Sequence, residues 1–189
     1  MTRPHPVILA IGDSLVAGYG LTQADSFTAQ LERRLRATFP DARVMNAGVS
    51  GDTAAGVLKR LPALLSRLPA RPSLAIVQVG PNDVLRQVPP SVVRASLEAI
   101  LLELGRCEIP VLLTTVEPPA LLRDRAAAYI GIHQELAALH SAVTAPFFPD
   151  GVLGHPAMVL ADRMHPNSKA ISAVVDALLS TVEKLLDDH

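Results

Sequence analysis

The 189-residue chain predicts a doubly wound α/β domain built on a parallel sheet. Three features lead there. Short apolar runs recur along the chain, each run is continuous rather than alternating, and longer stretches of helical periodicity separate them. A strand that is apolar at every position is buried on both faces, the condition of a parallel sheet covered by helices. Strand, helix, strand in repetition joins such strands through right-handed crossovers.

The elements follow in order. Val7-Ile8-Leu9-Ala10-Ile11 predicts the first strand, stopped by Gly12-Asp13-Ser14. Arg43-Val44-Met45 and Leu74 to Val79 predict the second and third, Val111 to Thr115 the fourth, and Pro146-Phe147-Phe148 a short fifth. Pro62 interrupts the helical pattern from Thr53 to Leu68, so a kink or two short helices are expected. Ser91 is placed to cap a helix in which Val92, Val93, Leu97, Ile100, Leu101 and Leu104 recur at three- and four-residue spacing up to Gly105. Asn167 is placed to cap a last helix burying Ile171, Val174, Val175, Leu178, Leu179, Val182 and Leu185. No repeat, low-complexity tract or linker divides the chain, so residues 1–189 are expected to form a single domain.

Composition excludes several classes. Seventeen basic residues against eighteen acidic ones leave a net charge of -1, without the basic excess of a nucleic-acid binder. Cys107 is the only cysteine, which rules out an internal disulfide or a cysteine-based zinc site. No apolar run approaches a membrane span, so no stable membrane insertion is expected. The chain as given shows no signal-peptide pattern and reads as cytoplasmic; a leader removed beforehand would make it periplasmic or secreted.

In doubly wound sheets, sites collect at the carboxyl ends of the strands. The loops after the first three strands carry Gly12-Asp13-Ser14-Leu15, Asn46 to Asp52, and Gly80-Pro81-Asn82-Asp83, which would converge on one sheet edge. A serine hydroxyl needs a base to take its proton and a third group to orient that base. Ser14 is placed as nucleophile. His165, just ahead of the last helix, is the candidate base, and Asp162, three residues earlier, is its orienting carboxylate. Acyl transfer also needs donors for the developing oxyanion. The amides of Ser14 and Gly51 and the side chain of Asn82 are placed to supply them. Asp13 and Asp83 are assigned to holding their own loops through nearby amides. His133, His140 and His155 are assigned packing or surface roles, and Arg123 and Arg125 a solvated helix start.

Gly12-Asp13-Ser14-Leu15, Ser50-Gly51-Asp52-Thr53, Gly80-Pro81-Asn82-Asp83 and Asp162-x-x-His165 resemble the four blocks of the GDSL/SGNH hydrolases, in family order and across nearly the whole chain. Asn46 to Thr53 and Arg60-Leu61-Pro62-Ala63-Leu64-Leu65 further resemble the bacterial branch of multifunctional thioesterases, lysophospholipases and arylesterases. The resemblance implies a flavodoxin-like α/β/α sandwich around a five-stranded parallel sheet, without metal or organic cofactor. It implies Ser14, Asp162 and His165 as the triad, and Ser14, Gly51 and Asn82 as the oxyanion hole. The chain departs from that branch at Pro81, where glycine is common, and in showing no exported leader. Proline there is expected to stiffen the loop and remove one backbone donor.

The expected partner is a small-molecule acyl ester or thioester. Val84, Leu85, Leu121 and Leu122 are candidates to line the acyl groove. Two other readings stay open from sequence: a narrow carbohydrate or small-ester deacetylase, and a non-catalytic flavodoxin-like binding module.

Overall fold

The computed structural model describes residues 5–188. Five strands, β1 (Val7–Gly12), β2 (Arg43–Gly48), β3 (Leu74–Gln78), β4 (Val111–Thr115) and β5 (Val143–Pro146), form one sheet in the order β2-β1-β3-β4-β5. Every pairing is parallel. The helices are α1 (Ser14–Ala17), α2 (Phe27–Leu35), α3 (Ala54–Leu65), α4 (Pro81–Leu85), α5 (Pro90–Arg106), α6 (Arg123–Ala126), α7 (Ile132–Leu139) and α8 (Ser168–Asp187).

The continuous apolar runs serve two cores at once. Ile8 and Ala10 of β1, Leu74 and Ile76 of β3 and Leu112 of β4 pack against α2 and α8 on one face. Ile11, Ala75, Val77 and Leu113 pack against α3, α5 and α7 on the other. The result is the predicted α/β/α sandwich. Each fully buried Leu or Ile contributes about 1.5–3 kcal/mol, so the two cores set the position of every loop at the sheet edge. Side chains seal the helix starts: Ser26 accepts from Ala29 N–H at 3.3 Å, Thr53 from Gly56 N–H at 3.2 Å, and Asn167 from Ala170 N–H at 3.0 Å.

Four expectations are corrected. The fifth strand lies at Val143–Pro146, ahead of the aromatic pair; Phe147 instead leaves the strand to fill the core beside Phe27, with ring centroids 5.3 Å apart. The second strand continues through Asn46, Ala47 and Gly48, paired with Ala10, Ile11 and Gly12, where a loop is read from sequence. Ser91 is not the cap of α5: Pro90 opens that helix, its fixed φ suited to the first helical position, and Pro89 stands at the cap without a side-chain bond. Pro62 does not split the helix in two: it sits within one continuous α3, near its end, where Val57 and Leu61 anchor the helix in the core.

Candidate active site

The chain leaves β1 towards β2 on one side and returns to β3 on the other. Ligands bind at the carboxyl ends of strands flanking such a reversal. Gly12 and Gln78, the last residues of β1 and β3, are direct partners, so the loops bearing Ser14 and Asn82 leave the sheet side by side.

Ser14 opens α1, a single turn. Asp13 caps it, its Oδ1 accepting from Leu15 N–H at 2.9 Å, and Gly18 closes it in the left-handed region (φ 82°). The turn lies hard against β2. A Cβ on Gly48 would fall 2.7 Å from Val16 C and Ala17 Cα and closer still to Ala17 N, so only glycine admits α1 there.

Val49 to Asp52 form a turn closed by Asp52 N–H donating to Val49 C=O at 3.0 Å. Gly51 is its third residue, with φ 83°, a conformation that side chains resist. Asn82 is the second residue of α4, behind Gly80 and Pro81. Pro81 takes the first helical position, where its missing N–H removes no helical bond. Asn82 Nδ2 donates to Asp13 Oδ2 at 3.2 Å and to Asp52 C=O at 3.0 Å. Asp83 faces the other way, its buried carboxylate accepting from Ala54 N–H at 3.0 Å; burial pushes its pKa up. Asp13 thus holds its own loop through a backbone amide, as expected, whereas Asp83 ties its loop to the start of α3.

His165 Nδ1 lies 2.7 Å from Asp162 Oδ2, and Asp162 Oδ1 accepts from Met164 N–H at 2.9 Å and His165 N–H at 3.0 Å. Arg163, at φ 58°, bends the chain between them. The Met164 amide, then the imidazole, then the His165 amide hold the Asp162 carboxyl down to about 2. Because Asp162 is an acceptor, Nδ1 carries the hydrogen of that bond and Nε2 is left free as a base. Ser14 Oγ and His165 are not hydrogen-bonded to each other. His165 nevertheless sits close to the Ser14 loop: its charge when protonated acts on Asp13, and its ring packs against Tyr19 at a tilt of 37°, with centroids 4.4 Å apart.

The second carboxylate beside the serine has the opposite character. Asp13 is 1% exposed, and burial pushes its pKa up to about 6. The Leu15 amide, the Gln78 side chain, the charge of His165 and Asn82 oppose that shift, in falling order. The Gln78 amide is wholly buried and lies beside the carboxyl without a well-formed hydrogen bond.

The candidate groove residues are less closely gathered. Val84 and Leu85 follow Asn82 on α4, half-buried and 42% exposed respectively. Leu122 is half-buried in the helical turn after β4, whereas Leu121 is 97% exposed and packs on almost nothing. Val49 and Met164 add exposed apolar surface on the Gly51 and His165 loops. Two recesses of about 250 Å³ lie at the opposite end of the sheet, around Pro72, Ile109 and Pro110.

Sequence reading missed Tyr19 and Arg60. Tyr19, between Gly18 and Gly20 in the loop after the serine, is one of only two tyrosines, a signal that was available. Arg60 opens a stretch that resembles the bacterial branch, but its role was not legible: its Nε bonds Asp52 at 2.7 Å and its Nη2 bonds Gly12 C=O at 3.1 Å, contacts that exist only in the folded chain. His133, His140 and His155 make structural contacts. His133 donates to Val79 C=O at 3.0 Å, and burial lowers its pKa; His140 lies 3.4 Å from Glu98, and His155 accepts from Ala157 N–H.

A parallel α/β/α sandwich with serine, glycine, asparagine and a His–Asp pair on the loops at one sheet edge defines a hydrolase of the SGNH type. The chain belongs to the GDSL-like Lipase/Acylhydrolase family, which it matches over residues 10–170. It is 35% identical to Esterase TesA of Pseudomonas aeruginosa, over 95% of this chain and 89% of that protein. It is 31% identical to Thioesterase 1/protease 1/lysophospholipase L1 of Escherichia coli, over 95% and 85%. Among solved structures it resembles AlinE4, an SGNH-hydrolase family esterase, with 42% identity, a TM-score of 0.77 and 95% of each chain covered. The chain is therefore an esterase-class hydrolase. No helix among the described residues is long and apolar enough to cross a membrane.

Proposed function

We propose that this chain hydrolyses acyl esters and thioesters through an acyl-enzyme on Ser14, with His165 and Asp162 completing the triad. The 2.7 Å bond between His165 Nδ1 and Asp162, on the sheet edge that also presents Ser14 and Asn82, carries the reading. With Nδ1 committed, Nε2 takes the Ser14 proton as Oγ attacks the acyl carbonyl. The oxyanion so formed is met by the amides of Ser14 and Gly51 and by Asn82 Nδ2. Collapse of the tetrahedral intermediate breaks the ester or thioester bond, and the imidazolium returns its proton to the departing alkoxide or thiolate. Water, deprotonated by the same imidazole, then attacks the acyl-enzyme and releases the carboxylic acid and Ser14.

The names of the relatives support both leaving groups, since one is called an esterase and another a thioesterase and lysophospholipase. The acyl chain would lie along the open apolar surface of Val84, Leu85 and Val49, with Leu122 and the projecting Leu121 at its far end. Such a groove discriminates only modestly per methylene, so broad chain-length tolerance is expected.

The test is hydrolysis of p-nitrophenyl esters from acetate to palmitate, with Ser14→Ala alongside. Serine-dependent activity that rises towards medium or long chains supports the reading. Activity confined to acetate would make the protein a small-ester deacetylase, and equal rates in both proteins would remove Ser14 from the chemistry.

A further inference from the structure

We propose that Asp13 is a positioning residue for the oxyanion hole, its buried carboxylate dictating which end of the Asn82 amide faces the reacting carbonyl. The proposal rests on the reading of Asn82 as an oxyanion donor. The last torsion of an asparagine is broadly two-fold, and its oxygen and nitrogen are nearly equal in size. Packing alone does not choose between them. Hydrogen-bond partners do.

Here both partners are acceptors. Asn82 Nδ2 donates to Asp13 Oδ2 at 3.2 Å and to Asp52 C=O at 3.0 Å, so the NH2 end is held where the Ser14 and Gly51 loops meet. An oxyanion in that cleft would share these hydrogens in a three-centre bond. Reversal would put Oδ1 against a carboxylate and a carbonyl, and would offer the oxyanion another negative end.

The frame that fixes the two acceptors is itself tied together. Asp13 Oδ1 is occupied by Leu15 N–H at 2.9 Å, which leaves Oδ2 for Asn82. Arg60 binds the Asp52 carboxylate at 2.7 Å and the Gly12 carbonyl at 3.1 Å, joining the loop that carries Gly51 to the residue before Asp13. At 1% exposure, Asp13 leaves little room for water to stand in for its carboxylate.

Asp13→Asn separates this role from simple loop support. The single oxygen of the new amide stays on Leu15 N–H, where asparagine caps as well as aspartate. Its NH2 group then confronts the NH2 of Asn82, and Asn82 must turn over. Asp13→Ser is the second variant: it keeps a cap and offers Asn82 no carboxylate.

The experiment is a double-mutant cycle between Asp13 and Asn82, read as kcat and KM on one p-nitrophenyl ester, with thermal midpoints confirming that each protein is folded. The expected result is a fall in kcat of about 10²–10³ for Asn82→Ala and a comparable fall for Asp13→Asn, the effect of losing one oxyanion donor. KM should change far less. In the Asn82→Ala background, Asp13→Asn or Asp13→Ser should lower kcat by less than about threefold, because the group it orients is already gone. Penalties that multiply in full would overturn the proposal and mark Asp13 as acting through the Ser14 turn. A wild-type rate for Asp13→Asn would overturn it too. An unimpaired Asn82→Ala would instead remove Asn82 from the oxyanion hole, and the proposal with it.

Discussion

Asp13→Asn should make the protein more stable with rising pH relative to wild type, even as it slows the enzyme. Burial lifts the Asp13 carboxyl from 3.8 to about 6. Across that window the folded chain binds more protons than the unfolded one, so this group's effect on stability worsens as pH rises from 3.8 and levels off above about 6. At 1.36 kcal/mol per pH unit, the full cost of holding the charge is about 3 kcal/mol. Between pH 4.5 and 7.5 about 2 kcal/mol of it develops. Asparagine carries no such charge. The groups that face Asp13 are shared by both proteins: Leu15 N–H on α1, Gln78 on β3, Asn82 on α4 and His165 ahead of α8. Arg60 of α3 reaches the neighbouring Gly12 carbonyl in both. Asp83, His133 and Asp162 titrate in both, and to first order they cancel in the difference. Urea unfolding of each protein at pH 4.5, 5.5, 6.5 and 7.5 gives that difference directly. The variant should gain about 2 kcal/mol on wild type over the range, or roughly 4–8 °C in thermal midpoint for a chain of this size. A lost or altered cap shifts the whole difference curve without tilting it. A flat curve, or one that falls with pH, would refute the argument that burial governs this carboxyl.

Two shorter predictions follow. Asp162→Asn replaces the acceptor that keeps the hydrogen on Nδ1, and kcat should fall by about 10⁴, as other serine triads do when their carboxylate becomes an amide; a rate within tenfold of wild type would take Asp162 out of the triad. Gly48→Ala would push a methyl into the backbone of Val16 and Ala17, atoms that belong to α1 and have nowhere to retreat. It should cost about 3 kcal/mol, or roughly 6–12 °C in thermal midpoint, and a midpoint within 2 °C of wild type would show that α1 moves freely.

Much of the fold was legible because burial on both faces writes itself into single strands. Val7 to Ile11 and Leu74 to Val77 are apolar at every position, and β1 and β3 lie side by side under both cores. Edge strands carry less of that signal. β2 and β5 are only partly buried, so Asn46 to Gly48 read as loop, and Phe147 attracted a strand that lies just before it. The His–Asp pair was legible because its geometry is local, three residues apart, and needs only Arg163 in a left-handed bend. Gly51 was legible as a close-approach glycine and adopts the φ that glycine alone tolerates well. The bonds of Arg60 to Gly12 and Asp52 lay beyond sequence reading, because they depend on where α3 comes to rest. Leu121 shows the limit from the other side: apolarity in a loop after β4 suggested a wall, and the residue instead stands clear of the protein.

The two carboxylates near the proposed nucleophile show why proximity in sequence does not assign roles in a site. Asp13 adjoins Ser14, and Asp162 is nearly 150 positions away. Yet both Asp13 oxygens are already engaged, one by Leu15 N–H and the other by Asn82 Nδ2. Its burial also makes the charged form costly, so it holds its charge less firmly than a carboxylate that must steady an imidazolium. Asp162 is exposed and fixed by two amides and the ring, held down to about 2, and so stays charged at neutral pH. Environment therefore divides the work. The charged, solvent-facing carboxylate is suited to hold the base, and the buried one to hold the donor that meets the oxyanion. Exchanging the two environments would weaken both, because a carboxyl that burial makes costly to charge would steady His165 less, while a solvated one would leave the Asn82 amide free to turn.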